Sequence, residues 1–212
     1  VREDKKFFLD RVLWVGVENM AGAVAEGGAI VVVGHLGNWD AAGASAGAMG
    51  FKVVTVAEVL KPRRMFDFFA DHRSKLGMTI HPSQSGVTNH LAEAARSGKV
   101  VAILGDRDLK GTGPEVELFG DKMNLPAGPA IVALKSGAAI MVAGVFNRTL
   151  ADGSPGWMVD MGKPLDIPRE HTEENVKVIT ETIAKELEVY IARSPADWHV
   201  FQPVWHRDKV RV

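Results

Sequence analysis

The chain has 212 residues, 46% of them hydrophobic and 24% charged, the balance of an ordinary globular domain with a sizeable core. Its net charge of −1 gives no global basic field, so nucleic acid is not an expected partner. It has no cysteine, which excludes a disulfide framework, a thiolate nucleophile and a cysteine-based zinc site. No apolar run approaches the roughly 20 residues that span a bilayer, and no secretory signal is visible.

Short β-branched runs alternate with longer helical stretches, which predicts an α/β fold with a central mixed β-sheet flanked by helices. The mixture of cations and bulky apolar groups in Lys5–Leu9 reads as a helix packed on the core or on a missing upstream segment, or as an interfacial membrane contact. Ala29–Val33 is a compact apolar strand, and an Ala/Gly-rich helix follows over Asn38–Met49. Val53–Val56 is the next strand. A helix over Pro62–Leu76 opens on proline and stops at Gly77. Met78–His81 and Val100–Leu104 are strands with a helix over Gly86–Arg96 between them. Residues Gly105–Pro126 read as a long loop, a kind of segment that often carries function. A short helix over Pro129–Lys135 precedes Ile140–Phe146 and Trp157–Met161, which pair antiparallel across the Asp152–Pro155 turn. The clearest helix is Thr172–Arg193, with Thr172 as its cap and Val176, Ile179, Ile183, Leu187 and Ile191 at helical spacing.

The segment Gly34-His35-Leu36-Gly37-Asn38-Trp39-Asp40 carries the chemistry. A buried strand ends in glycine and presents a histidine at its carboxyl end, where open α/β sheets place ligands. Asn38 is a capping residue for the helix that follows. Asp40 falls in the first helical turn, so its carboxylate is expected to reach one ring nitrogen of His35. It would fix the tautomer and stabilise the imidazolium, leaving the other nitrogen to take a proton from an incoming hydroxyl. The bland alternative is a buried histidine that merely donates to a nearby carboxylate. Glu58 also follows a strand end, but a solvated loop acid has the same signature. Arg73 lies on an amphipathic helix and is either solvated, salt-bridged or a holder of a sugar hydroxyl or phosphate. Asp106 and Asp108 flank Arg107 and could form a local ion pair. Asp106 follows Gly105 at a strand end just as His35 follows Gly34, which favours it over Asp108.

These residues fall into blocks that resemble one family. His35 to Asp40 resembles the H-x₄-D motif of glycerolipid-type acyltransferases, in the H-x-G-N-W-D/E form of the lipid A biosynthesis acyltransferases and their actinobacterial relatives. Val56 to Pro62 is similar to their A-E-x-L-K-P block, Arg73 to Gly77 to R-x-x-L-G, and Asp106 to Leu109 to D/E-R-D-L. Phe119-Gly120 and Met123 to Pro129 resemble F-F-G and R-M-P-A-G-P. Pro195 to His199 with Gln202-Pro203-x-Trp205 resembles P-A-D-W-H…Q-P-x-W. The likeness covers nearly the whole chain. It implies a peripheral membrane O-acyltransferase at the cytoplasmic face of the plasma membrane, without a cofactor or metal. The donor would be acyl-CoA and the acceptor a glycolipid, a mannosylated phosphoinositide. His35, Asp40 and Asp106 would be catalytic, and Glu58, Arg73 and Asn38 substrate-binding. Asp106 stands where the family often has glutamate, and would orient the histidine or the acceptor sugar. The chain opens on Val1 and is read as a single domain over 1–212 that lacks an upstream helical segment.

Three other readings compete. Lipid A-type enzymes with another glycolipid acceptor share the histidine motif. Gly43-Ala44-Ser45-Ala46-Gly47 matches the G-x-S-x-G elbow of a serine esterase or thioesterase. An elbow needs a strand just before the serine, and here a helix precedes it, so small residues for close packing are the simpler account. A lipid-binding module with a decayed site is the third. The Ala/Gly-rich residues 41–50 and 127–144 leave room for an apolar channel for an acyl chain beside the sheet, though the sequence alone does not show one. Trp198, Phe201 and Trp205 either line a lipid groove or pack near the C-terminus.

Overall fold

The computed structural model describes residues 5–108 and 110–209; Leu109 of the Asp106–Leu109 block and residues 1–4 lie outside them. In chain order the elements are α1 (Lys5–Arg11), β1 (Val12–Val15), α2 (Val17–Glu26), β2 (Ala29–Val33), α3 (Trp39–Ala48), β3 (Val53–Ala57), α4 (Arg63–Lys75), β4 (Met78–Pro82) and α5 (Val87–Arg96). There follow β5 (Val100–Leu104), β6 (Glu115–Leu118), β7 (Asp121–Asn124), α6 (Gly128–Ser136), β8 (Ala139–Thr149), β9 (Pro155–Met161), α7 (Glu173–Arg193) and α8 (His206–Lys209).

Seven strands form one sheet in the order β1-β9-β8-β2-β5-β3-β4. Neighbours run parallel except β8 and β9, which pair antiparallel across the predicted turn. The sheet is therefore mixed. The unbroken apolar run Ala29–Val33 suits its central place between β8 and β5, because a strand covered on both faces needs apolar residues throughout. Ile30 and Val32 point into one core, shared with Leu91 of α5, Val132 of α6 and Ile183 and Leu187 of α7. Ala29 and Val31 point into the opposite core, shared with Phe8, Met20, Ala41, Ala44 and Met78. Helix α7 forms as its periodicity predicts: the Thr172 hydroxyl accepts from the Asn175 N–H, and Ile179, Ile183, Leu187 and Ile191 are buried. Phe8 of α1 is buried too, so the N-terminal stretch packs on the core.

Two features differ from expectation. The segment 105–126 is not all loop, for β6 and β7 form an antiparallel hairpin within it. Its pattern is strand-like on inspection: Glu115 and Glu117 face water while Val116 and Leu118 are buried, and Phe119-Gly120 turns with φ of 53° and 77°. Strand β1 and helix α2 also go unpredicted. β1 is a four-residue strand at the sheet edge, too short for a periodic signal.

Candidate active site

The carboxyl ends of β2, β3 and β5 lead directly to His35, Glu58 and Asp106. β2 and β5 pair in parallel with Val33 opposite Leu104, and the Gly105 N–H still donates to the Val33 carbonyl at 2.9 Å. Two residues past that pairing, the strands deliver His35 and Asp106 side by side. Gly105 permits this approach, because a Cβ there would stand 2.4 Å from a Val32 methyl. Gly37 then turns the chain with φ of 60°, its α-carbon packed against the Val145 carbonyl where a side chain has no room.

The partner of His35 is Asp106, not Asp40. Asp106 Oδ1 lies 2.6 Å from His35 Nδ1, and Oδ2 accepts the His35 backbone N–H at 2.7 Å. A carboxylate in that place puts the ring proton on Nδ1 and leaves Nε2 as the basic nitrogen. Asp106 is fully buried, whereas the His35 side chain is 16% exposed. Asp106 is not on the cavity wall, so it faces that space only through the histidine. Asp40 instead forms a two-point ion pair with Arg73, Nε to Oδ1 at 2.6 Å and Nη2 to Oδ2 at 3.1 Å. The reason lies in the helix: Asp40 sits in the first turn of α3, within reach of Arg73 on α4, while Asp106 at the end of β5 holds His35. Arg73 is thus salt-bridged, and it also faces the cavity.

The other predicted residues have partners outside the His35–Asp106 pair. Glu58 is exposed and accepts from Arg107 Nη2 at 3.1 Å, and Arg107 also donates to Gln202. Among the described residues no ion pair joins Arg107 to its flanking acids; the Asp108 carboxylate instead accepts the Lys110 and Gly113 N–H groups and shapes the loop. Asn38 caps α3, accepting the Ala41 N–H at 3.0 Å, and its side chain is not on the cavity wall. Ser45 is fully buried in the middle of α3 and accepts the Trp14 indole N–H at 3.0 Å. It is no elbow. The small residues around it let α3 lie close to the sheet, for a Cβ on Gly43 would stand 2.6 Å from the Met78 sulfur.

A cavity of about 820 Å³ opens beside His35, within the size range of ligand sites. Its walls include Val31, Val33, Thr55, Ala102, Ala143 and Val145 from the sheet, Ala42, Gly43 and Ala46 from α3, and Phe66 and Phe69 from α4. Its polar lining includes His35, Asp40, Glu58, Arg73 and Arg107. Residues of both Ala/Gly-rich stretches line it, among them Ala42, Gly43, Ala127 and Ala143. Trp39 lines it as well, edge-on to His35 at 5.1 Å between ring centroids. Among the described residues its indole N–H is a buried donor without a partner.

Sequence reasoning missed the role of the C-terminal segment. Residues 197–199 run antiparallel to the histidine loop: the Gly37 N–H donates to the Asp197 carbonyl, the His199 N–H donates to the His35 carbonyl, and Leu36 bridges Trp198. The Trp198 indole donates to Asp106 Oδ2 at 2.8 Å. Burial pushes the Asp197 carboxyl up, but hydrogen bonds from Ser194 and Asn147 outweigh it and hold the group below its ordinary value. Trp198 and Trp205 pack edge to face, Phe201 is exposed, and none of the three lines the cavity.

The family profile of bacterial lipid A biosynthesis acyltransferases matches residues 4–207. The chain belongs to the bacterial lipid A biosynthesis acyltransferase family. Among relatives of this acyltransferase family, the phosphatidylinositol mannoside acyltransferase of Mycobacterium tuberculosis is 36% identical over 204 residues, covering 94% of this chain and 61% of that protein. The protein of the same name from Mycolicibacterium smegmatis is 31% identical over 198 residues, covering 92% of this chain and 62% of its own length. The chain thus spans about three fifths of the length of these relatives.

Proposed function

We propose that this chain transfers a long-chain acyl group from acyl-CoA to a mannose hydroxyl of a phosphatidylinositol mannoside, with His35 as general base. The observation that carries the reading is a histidine held by a fully buried aspartate at the edge of a largely apolar cavity. The relatives' names supply the acceptor class. In this mechanism the acceptor hydroxyl gives its proton to His35 Nε2 while its oxygen attacks the thioester carbonyl. The tetrahedral oxyanion collapses, the C–S bond breaks, and the imidazolium returns the proton to the departing thiolate. No enzyme nucleophile is needed. Asp106 keeps the proton on Nδ1 and stabilises the imidazolium. The buried, unpartnered Trp39 N–H beside His35 is a donor available to a substrate oxygen, and pairing it would relieve a cost of about 1–3 kcal/mol.

Peripheral contact with the cytoplasmic face of the plasma membrane belongs to the same proposal. Among the described residues no helix is long and apolar enough to cross a membrane. Helix α4 exposes Met65 and Phe68 beside Arg63 and Arg64, and its Phe69 is both exposed and part of the cavity wall. An apolar stripe flanked by cations suits an anionic lipid surface. The decisive test of the function is mass spectrometry of products formed from palmitoyl-CoA and a panel of glycolipid acceptors. Acylation of phosphatidylinositol mannosides is expected. Transfer only to lipid A precursors, or hydrolysis without any transfer, contradicts the proposal.

A further inference from the structure

Asp106 is a fully buried carboxylate with one oxygen committed to the His35 ring. The other oxygen holds two donors, the His35 backbone N–H and the Trp198 indole N–H. The first of these comes from the very loop that Asp106 must orient. The Trp198 indole is the side-chain donor that anchors the carboxylate to a different part of the fold. Trp198 is itself fixed, by the bridge to Leu36, the edge-to-face contact with Trp205 at 5.9 Å, and the flanking bonds of Asp197 and His199 to the histidine loop. An aspartate is also short. Its carboxylate torsion is intrinsically broad, so donors on the far oxygen fix the plane that points the near one at the ring.

We propose that Trp198 is a positioning residue for the reaction, its indole N–H holding Asp106 in the place from which that carboxylate orients His35. It does not line the cavity, so it acts only through Asp106. The inference rests on the reading of His35 as general base. A misplacement of about 1 Å in a catalytic group can cost about 100-fold, and because the loss is one of orientation it falls on kcat.

The experiment uses the full chain, palmitoyl-CoA and a phosphatidylinositol mannoside. Trp198→Phe keeps the ring and loses the donor. The expected result is a fall in kcat of about 10-fold or more, with KM for both substrates within about 2-fold of wild type. In an Asp106→Asn background the same change should alter kcat by less than about 2-fold, because the group through which Trp198 acts is already disabled. Should Trp198→Phe fold poorly, replacement of Trp198 by β-(3-benzothienyl)alanine, with the shape of indole and no N–H, gives the same readout. Wild-type kcat in the folded N–H-deficient variant overturns the proposal. So does an equal fold-loss in both backgrounds, which would mark a structural role. Failure of the base reading is separable: it appears as an active His35→Ala, whatever Trp198 does.

Discussion

Asp106→Asn isolates what the buried carboxylate does for His35. Asparagine is nearly isosteric, and its carbonyl oxygen can take the Oδ2 position, where it still accepts from the His35 backbone N–H and the Trp198 indole. Its NH₂ group then faces Nδ1 in place of Oδ1 and donates to it. That inverts the tautomer: the proton moves to Nε2, which can no longer accept one from a hydroxyl. The same inversion in a Ser-His-Asp triad lowers kcat about 10⁴-fold, or about 5 kcal/mol of transition-state stabilisation. A loss of about 10³- to 10⁴-fold in kcat is therefore expected here, with little change in KM or in melting temperature. Asp40→Asn is the matched comparison. It removes one charge from a pair with Arg73 whose side chains are 34% and 20% exposed, so solvent screening limits its stability cost to about 1 kcal/mol. Initial rates of palmitoyl transfer and thermal melts of both variants decide the matter. An Asp106→Asn kcat within about 10-fold of wild type, or an Asp40→Asn loss as deep as that of Asp106→Asn, refutes the assignment of the dyad.

Ser45→Ala should leave transfer within about 2-fold of wild type while lowering stability by about 1–3 kcal/mol, since the Trp14 N–H loses its acceptor; loss of turnover would revive the serine nucleophile. Asp197 gives a pH prediction. Its carboxyl is held below the ordinary 3.8, so its contribution to stability is complete above that value and is lost as the pH falls through the lowered one. The melting-temperature penalty of Asp197→Asn should therefore be full at neutral pH and shrink in strong acid; a penalty independent of pH contradicts this.

Much of the fold is legible in local patterning, because burial dictates period. The unbroken apolar run Ala29–Val33 marks a central strand, and the recurrence from Val176 to Ile191 marks the long helix on one face of the sheet. The hairpin of β6 and β7 was hidden by its charged outer face, and β1 by its length. At the site, proximity along the chain misled. Asp40 is five residues from His35, yet helix α3 carries it toward Arg73. Asp106 is 71 positions away and reaches the ring because β2 and β5 are neighbours in register. The sequence held a clue in the matching Gly34-His35 and Gly105-Asp106 strand ends, but strand order, which no local pattern encodes, turns that likeness into a contact. The Trp198 contact was illegible for the same reason: it spans 92 positions and depends on a C-terminal segment folding back over the histidine loop.

The central claim is that His35 takes the acceptor's proton. Its most direct test is the steady-state kcat of His35→Ala for palmitoyl transfer to a phosphatidylinositol mannoside, measured on protein whose melting temperature shows it folded. The account predicts a fall of at least about 10²- to 10⁴-fold, the usual worth of a general base. Turnover within about 10-fold of wild type would contradict it.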